Sequence, residues 1–357
     1  MKILNLSLDQ QVLNKESRTA KRLAWFDGVV EKCTIIVPAR KTEECEIASK
    51  ILACGSGGGN KIGQLFNIYN KAVNFLARDQ YDIITVQDPF YLGAVGLFLA
   101  RRFKIKLEVQ IHGFEKETWL RRLLAKYVIN RADGLRVVSR RLQSELINKW
   151  GISESKIVII PVYSTAAHEL RPNKDYIAHE PFNFLTVSRL VPVKNIFLQL
   201  ESLAEIIKDH SQVVLTIVGD GPERERLQQL AKDLGIGDKV KFVGLVDNPD
   251  SFYASADAFL LTSNKEGWGL VVIEAGSFGL PVIMTDVGCA GEVVVDNESG
   301  LVVPVGPKTA LVEAMSKLIK DQALRSRLGS NLAQKVALLP SKDQTLSLYS
   351  QAWKKLL

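Results

Sequence analysis

Short aliphatic runs alternate with amphipathic stretches along this chain, stop once, and then start again. In the first round "KILNLSL", "CTIIVP", "IITVQ", "LEVQIHG" and "GLRVVS" read as buried strands. "TAKRLAWFDGVV", "GQLFNIYNKAVNFLAR" and "WLRRLLAKYVINRA" read as the helices between them. Alternation of this kind predicts a parallel sheet covered by helices on its faces. The break falls at "STAAHELRPNKDYIAHE", residues 164–180, which is polar, lacks apolar periodicity and contains a proline, and so reads as a linker. The second round follows with "FNFLTVS", "VVLTIVGDG", "KVKFVG", "AFLLTS" and "LPVIMTD". A chain of 357 residues also exceeds what one core normally reaches. The expectation is an α/β protein of two Rossmann-like domains, residues 1–170 and 171–340, followed by an amphipathic helix over 341–357 with its lysines late, where the helix dipole favours them. Such sheets gather ligands at the carboxyl ends of their strands, so the site is expected in the cleft between the domains.

Composition removes several classes. No run reaches eighteen apolar residues, so no membrane-spanning helix is expected. The start "MKILNLSLDQ" turns polar too soon for a signal peptide and reads as a first strand. Cys33, Cys45, Cys54 and Cys289 form no CxxC pair and have no histidine cluster beside them, so neither zinc nor a disulfide framework is expected, and a reduced cytoplasmic setting is. The net charge of +7 is unevenly placed. Residues 1–175 hold 28 Lys and Arg against 18 Asp and Glu, a balance of +10, whereas residues 176–357 balance at −3. The first half is therefore expected to meet something anionic: nucleic acid, an anionic membrane surface or a phosphate-bearing substrate. Nucleic acid is disfavoured, because basic tracts interleaved with aromatics are missing.

The stretch "KEGWGLVVIEAG", residues 265–276, places Glu266 and Glu274 eight positions apart. A helix starting near Gly269 leaves Glu266 in the preceding loop and puts Glu274 more than a turn into the helix, so the two are not a close carboxylate pair. Gly267 and Gly269 let backbone approach a ligand, and free N–H groups near Leu270 and Val271 then face an anion. A carboxylate beside an anion site would be repulsive unless it accepts from hydroxyls. Glu266 thus suits a sugar and Glu274 a ribose; the plainer alternative is a helix start that happens to be acidic. "VSRLVPVKN" places Arg189 and Lys194 after a strand, as a diphosphate would require, with a solvated basic loop as the alternative. "IVGDGPERERL" ends a strand in a glycine turn whose GxG is too short for a dinucleotide fingerprint, and a tight turn before a helix is its expected job.

In order, "VSRLVPVKN", "IVGDGPERERL", "VKFVGLVDN" and "SADAFLLTSNKEGWGLVVIEAGSFGLPVIMTDVGCAGEVVVDNESGLVVP" resemble the second domain of the family 4 glycosyltransferases, over about residues 183–305. The resemblance implies the GT-B fold, in which two Rossmann-like domains face each other across a cleft and a C-terminal helix returns to the first domain. It implies that Glu266 and Glu274 are the acids of an E-x7-E motif, the first on the donor sugar and the second on the nucleotide ribose. The amides of the loop after Glu266, with Gly267, Trp268, Gly269, Leu270 and Val271, would meet sugar and phosphate. Arg189 and Lys194 would hold the diphosphate, and Gly244 and Leu245 would lie at the nucleobase. "LEVQIHGFE" ends a strand at His112, where family members place a histidine near the sugar. One departure stands out: the family's glycine-rich turn after the first strand is replaced by "SLDQQVLNKESRTAKR", and the glycines of "CGSGGGNKIG" come later, where a flexible loop is expected.

The implied activity is a retaining glycosyltransferase that uses a nucleotide-sugar donor and a glycan or lipid-linked acceptor, with a GT-B epimerase or phosphorylase as the alternative and a nucleic-acid binder as the remote one. Arg189, Lys194 and the amides near Leu270 would carry the leaving-group charge, with His112 and Glu266 at the sugar. No cofactor is expected, and no metal, since no DxD-type pair stands beside a strand end. A cytoplasmic location is expected, with possible peripheral contact between the basic first domain and an anionic membrane.

Overall fold

The computed structural model describes residues 1–114, 118–169 and 180–357. The chain forms two compact units, Met1–Pro161 with Pro340–Leu357, and Val162–Leu339. The linker predicted over 164–180 falls largely on residues 170–179, outside the described residues, while Thr165–His168 forms a short helical turn.

The first unit is an eight-stranded sheet. Its strands are β1 (Lys2–Leu6), β2 (Lys32–Val37), β3 (Glu44–Ala48), β4 (Ile51–Gly55), β5 (Ile83–Val86), β6 (Lys106–Ile111), β7 (Gly134–Val137) and β8 (Ile157–Ile159), in the spatial order β3-β4-β2-β1-β5-β6-β7-β8. Every pairing is parallel except β3 with β4. Covering helices are α1 (Arg18–Leu23), α2 (Lys61–Arg78), α3 (Tyr91–Phe103), α4 (Trp119–Arg131) and α5 (Arg140–Trp150). Ile83, Ile84, Thr85 and Val86 of β5 are all buried, which is why such strands read as unbroken aliphatic runs rather than alternating ones. α2 does alternate: it buries Ile68, Ala72 and Leu76 at four-residue spacing and is capped by Asn60, whose side chain accepts from the Gly63 amide at 2.7 Å. The glycine-rich "CGSGGGNKIG" forms a short loop, residues 56–60, between β4 and α2. Its first residues finish β4, Ser56 is buried, and α2 begins at Lys61.

The second unit has β9 (Phe182–Val187), β10 (Val213–Val218), β11 (Val240–Gly244), β12 (Ala258–Leu261), β13 (Val282–Thr285) and β14 (Leu301–Val303) in the order β11-β10-β9-β12-β13-β14, all parallel. Its helices are α6 (Ile196–Asp209), α7 (Arg224–Asp233), α8 (Asp250–Ser255), α9 (Leu270–Ser277), α10 (Lys308–Lys320) and α11 (Gln322–Ala337). No helix of the described residues is long and apolar enough to cross a membrane.

The last helix, α12 (Lys342–Leu356), belongs to the first unit. It starts in a capping box between Ser341 and Gln344. Trp353 enters the core with Ile3, Ile35 and Ile83, and Leu356 lies over Gly134, where a Cβ would meet its Cδ2 at 2.5 Å. Beneath α12 three polar side chains are buried in the sheet: Glu108 and Gln110 on β6, and Arg136 on β7. The Trp353 Nε1–H donates to Glu108 at 3.5 Å, Gln110 donates to the same carboxylate at 3.3 Å, and Arg136 donates to Gln110. Burial pushes the Glu108 carboxyl up, and the Arg136 charge opposes that. Trp353→Ala removes both a large core ring and one of the few donors to a buried carboxylate. It should destabilise the protein by about 3–5 kcal/mol, seen as a lower midpoint in guanidinium denaturation.

Candidate active site

Strand order decides where a ligand site can form in the second unit. From β9 the chain steps outward one way through β10 and β11, then returns to β12 on the other side and continues to β13 and β14. The order reverses between β9 and β12, and loops leaving adjacent strands in opposite senses open a crevice at their carboxyl ends. Those two loops carry Arg189 and Lys194 after β9, and Glu266 through Gly269 after β12.

The loops are tied together by a buried polar chain. Thr186 on β9 donates to Gln199 Oε1 on α6 at 2.8 Å, and Gln199 donates to Thr262 Oγ1 at 2.9 Å. Thr262 Oγ1 in turn lies 3.1 Å from the carbonyls of both Lys194 and Asn195. The Asn264 amide donates to the Val193 carbonyl at 2.8 Å. With both backbones fixed, Lys194 Nζ reaches Glu266 Oε1 as a half-buried ion pair. Ser263 Oγ donates to the same oxygen at 2.8 Å. Both contacts fall on Oε1, which leaves Oε2 for a further donor.

Beyond Glu266 the chain turns at Gly269, whose φ of +93° is open only to glycine, and α9 begins at Leu270. Gly269 has no side chain to cap the helix, so its first amides keep unspent N–H groups. Gly267 and Trp268 are buried, Leu270 and Val271 half-buried. The Trp268 carbonyl accepts from the Cys289 amide at 2.9 Å, while its buried indole Nε1–H has no hydrogen-bond partner among the described residues. Glu274, more than a turn further on, accepts from the Tyr253 hydroxyl of α8 at 2.8 Å. Tyr253 is wholly buried and stacks on Phe278 at 5.4 Å, so the Glu274 carboxylate is held by a fixed ring. Burial, and then the adjacent Glu274 charge, push the Tyr253 phenol up, so it stays a neutral donor.

The "VGDGP" turn is a packing device. A Cβ on Gly219 would lie 1.9 Å from the Ser188 carbonyl oxygen, and one on Gly221 would lie 2.3 Å from that of Leu190. The glycines let this turn press on the segment that carries Arg189, whose side chain is exposed and makes no ion pair among the described residues. Gly244 ends β11 with φ +93°, its carbonyl accepts from the Gly219 amide at 2.8 Å, and Leu245 beside it is 82% exposed. The structure thus gathers Arg189, Lys194, Glu266 and the Gly267–Val271 turn around one crevice, with Glu274 on α9 and the Gly244–Leu245 turn at the end of β11.

His112 lies in the first unit, just past the end of β6. The protein packed around the ring, and then the positive charges of Arg136 and Arg22, push its imidazole down. The ring is exposed to solvent, which limits the first effect, and the two arginines act in the same direction, disfavouring its protonated form. Among the described residues no group of three or more His, Cys, Asp or Glu side chains could hold a metal ion.

Sequence reasoning did not find Tyr253, Ser263, Thr262 or Gln199. Gln199 left a trace, a carboxamide on the apolar face of "IFLQLESLAEII", and a polar side chain there must find a partner inside. The other three left none, because their partners come from other loops.

Two family models match the chain: "Glycosyltransferase Family 4" over residues 32–162 and "Glycosyl transferases group 1" over residues 169–335. The N-acetyl-alpha-D-glucosaminyl L-malate synthase of Bacillus anthracis is 31% identical over 214 residues, which are 60% of this chain and 49% of that protein. The chain therefore spans about half the length of that curated relative. The GDP-mannose-dependent alpha-(1-6)-phosphatidylinositol monomannoside mannosyltransferase of Mycobacterium tuberculosis is 31% identical over 276 residues, 70% of each chain. Among solved structures, Anabaena HepE in complex with UDP superposes with a TM-score of 0.75 over 98% of this chain and 99% of that one, at 20% identity. With both halves matched in order, and the same two-sheet architecture, the chain belongs to the family 4 glycosyltransferases and has the GT-B fold.

Proposed function

We propose that the chain is a retaining glycosyltransferase that moves a sugar from a nucleotide-sugar donor to a glycan or lipid-linked acceptor. The observation that carries this reading is the Lys194–Glu266 pair beside the uncapped start of α9, with the Tyr253-held Glu274 further along the same helix. A diphosphate reaching Lys194 would take over its positive charge and free Glu266 to accept from sugar hydroxyls. The exposed Arg189 and the amides of Leu270 and Val271 would share the charge that builds on the leaving diphosphate, without a metal. The unpartnered Trp268 indole N–H is a further donor beside the same turn. Glu274 would accept from the ribose, and Gly244 with Leu245 would flank the base. Relatives support a nucleotide donor, since one is named for GDP-mannose and one structural neighbour holds UDP.

The acceptor belongs to the first unit in this reading. There the segments that follow β1 and β2, together with the first turn of α2, enclose a cavity of about 540 Å³ lined by Gln10, Asn14, Arg40, Lys41, Glu43 and Gln64. Carboxamides and cations at an open cavity suit hydroxyl groups and an anionic substituent. The His112 ring is a hydrogen-bonding group at the end of β6 on the same sheet. A lipid-linked acceptor would place the protein on the cytoplasmic side of a membrane, in peripheral contact with it, as the phosphatidylinositol-directed name of one relative supports.

The reading is tested by screening UDP-, GDP- and ADP-sugars for thermal stabilisation and following label from the stabilising donor into product. Donor turnover without transfer of the label to a second molecule would replace it with an epimerase reading. Glu274→Ala should weaken nucleoside diphosphate binding, and Tyr253→Phe should weaken it by roughly 2- to 10-fold while leaving kcat in place, since one hydrogen bond to the carboxylate is lost. Glu266→Ala should lower turnover while diphosphate affinity is kept; equal affinity losses in the two glutamate variants would undo the division of roles. Arg189→Ala and Lys194→Ala should each slow transfer by at least ~100-fold. EDTA should leave the rate unchanged, and strict dependence on added magnesium or manganese would remove the metal-free mechanism.

A further inference from the structure

Helices α2, α3 and α4 contain no aspartate or glutamate, yet they carry nine basic residues, from Lys61, Lys71 and Arg78 through Arg101 and Arg102 to Arg121, Arg122, Lys126 and Arg131. The next helix, α5, is ordinary by comparison, with Glu145 paired to Lys149. The connections β4–α2–β5, β5–α3–β6 and β6–α4–β7 all step the same way across the sheet, so right-handed crossovers put the three helices on one face, where α2 packs on α3 and α3 on α4. Acid-free helices side by side make a continuous positive surface rather than the mixed charge of a solvated one.

That surface is also apolar. The sequence pattern of α4 groups Trp119, Leu120, Leu123, Leu124, Tyr127 and Val128, as if to pack on the sheet. In the structure the sheet takes Ala125, Val128 and Ile129, while Trp119, at 70% exposure, and Leu120, Leu123 and Tyr127 face solvent. α3 adds exposed Tyr91 and Phe98, and α2 adds Ile62 and Phe66 at 81% and 63% exposure. Cations and rings are interleaved across the helix boundaries. Arg131 lies over the Tyr127 ring at 4.0 Å, Arg101 of α3 donates to the Tyr127 hydroxyl of α4 at 3.3 Å, Arg102 of α3 donates to Tyr69 of α2, and Tyr69 meets Phe98 edge-on at 5.7 Å. Among the described residues none of Arg101, Arg102, Arg122, Lys126 and Arg131 makes an ion pair, and all five are exposed, whereas Arg121 is half-buried over the Phe90 ring at 4.2 Å.

We propose that the outer face of α2, α3 and α4 docks on an anionic lipid bilayer, the guanidinium and ammonium groups on headgroup phosphates and the exposed rings and aliphatic side chains among the upper acyl carbons. Charge complementarity favours an anionic partner, and the aliphatic members select among such partners. Ile62, Leu120 and Leu123 have nothing to gain from a phosphodiester backbone but lose water on entering a membrane interface. The surface deepens the reading of a lipid-linked acceptor, but its test uses neither donor nor acceptor.

The full chain is sedimented with vesicles of phosphatidylcholine alone, and with vesicles containing one third phosphatidylglycerol, at low and at high salt. Binding to the anionic vesicles should exceed binding to the neutral ones at least ~10-fold and fall with salt. Arg122→Glu with Lys126→Glu should reduce anionic binding at least ~10-fold. Trp119→Ser with Leu123→Ser should leave only a fraction that high salt removes entirely. All four positions are exposed, so thermal midpoints, and the stabilisation given by UDP or GDP, should match the parent. Equally negligible binding to both vesicle types overturns the proposal, as does anionic binding that neither double variant changes. Tight binding of single-stranded RNA without vesicle binding, or a solution dimer that these variants dissociate, would assign the face to that partner instead. Loss of vesicle binding with nucleotide stabilisation intact would leave the transfer reading standing, whereas vesicle binding without nucleotide stabilisation would sink the transfer reading alone.

Discussion

The hydrogen bond from the Gln199 amide to Thr262 Oγ1 joins the two halves of the candidate donor site. On one side Gln199 is bound to β9 through Thr186; on the other, Thr262 meets the carbonyls of Lys194 and Asn195. All three side chains are buried, so each bond lost would leave an unsatisfied polar group away from water. This makes the separation of Lys194 and Glu266 a property of the core rather than of two surface loops. Tyr253 does the same for Glu274 from the other flank, where a buried ring fixes a carboxylate that would otherwise sample several rotamers. The groups that would meet a donor are therefore placed by residues that need never touch it.

Those supporting residues mark the limit of what the sequence made legible. The alternation of aliphatic runs, the start of α9 at Gly269, and the separate partners of Glu266 and Glu274 could be read because each depends on local spacing. The pairing of Glu274 with a tyrosine twenty-one positions earlier depends on how α8 packs against α9, which no local pattern encodes. The same limit explains α4. Its apolar grouping was visible, but which side meets the sheet is set by the position of α3, and the sheet took the smaller residues. The loop at 56–60 was readable, but not that its first residues are buried, because that depends on neighbours that no local pattern names. A Cβ at Gly55 would meet the Lys41 carbonyl at 2.8 Å.

The basic excess of the first half has two destinations. Part of it is structural: Lys2 and Lys32 both donate to Asp79 at 2.8 Å and hold that carboxyl down at about 2, binding the start of β1 and β2 to the end of α2. A further nine basic residues lie on α2, α3 and α4, helices that contain no acid of their own. A summed charge cannot distinguish these uses, since a lysine inside a salt bridge and one facing water count alike.

The first unit is built from both ends of the chain, because α12 seals it over Glu108 and Arg136. During synthesis, residues 1–161 emerge long before residues 340–357. Until then the polar strip on β6 and β7 stays wet, and the pocket for Trp353 and Leu356 stays open, while the second unit, contiguous in sequence, can already fold as each of its strands appears. The order of completion on the ribosome is thus inverted: the domain made first closes last. A nascent chain stalled before residue 340 would carry a finished second unit and a first unit that still lacks part of its core.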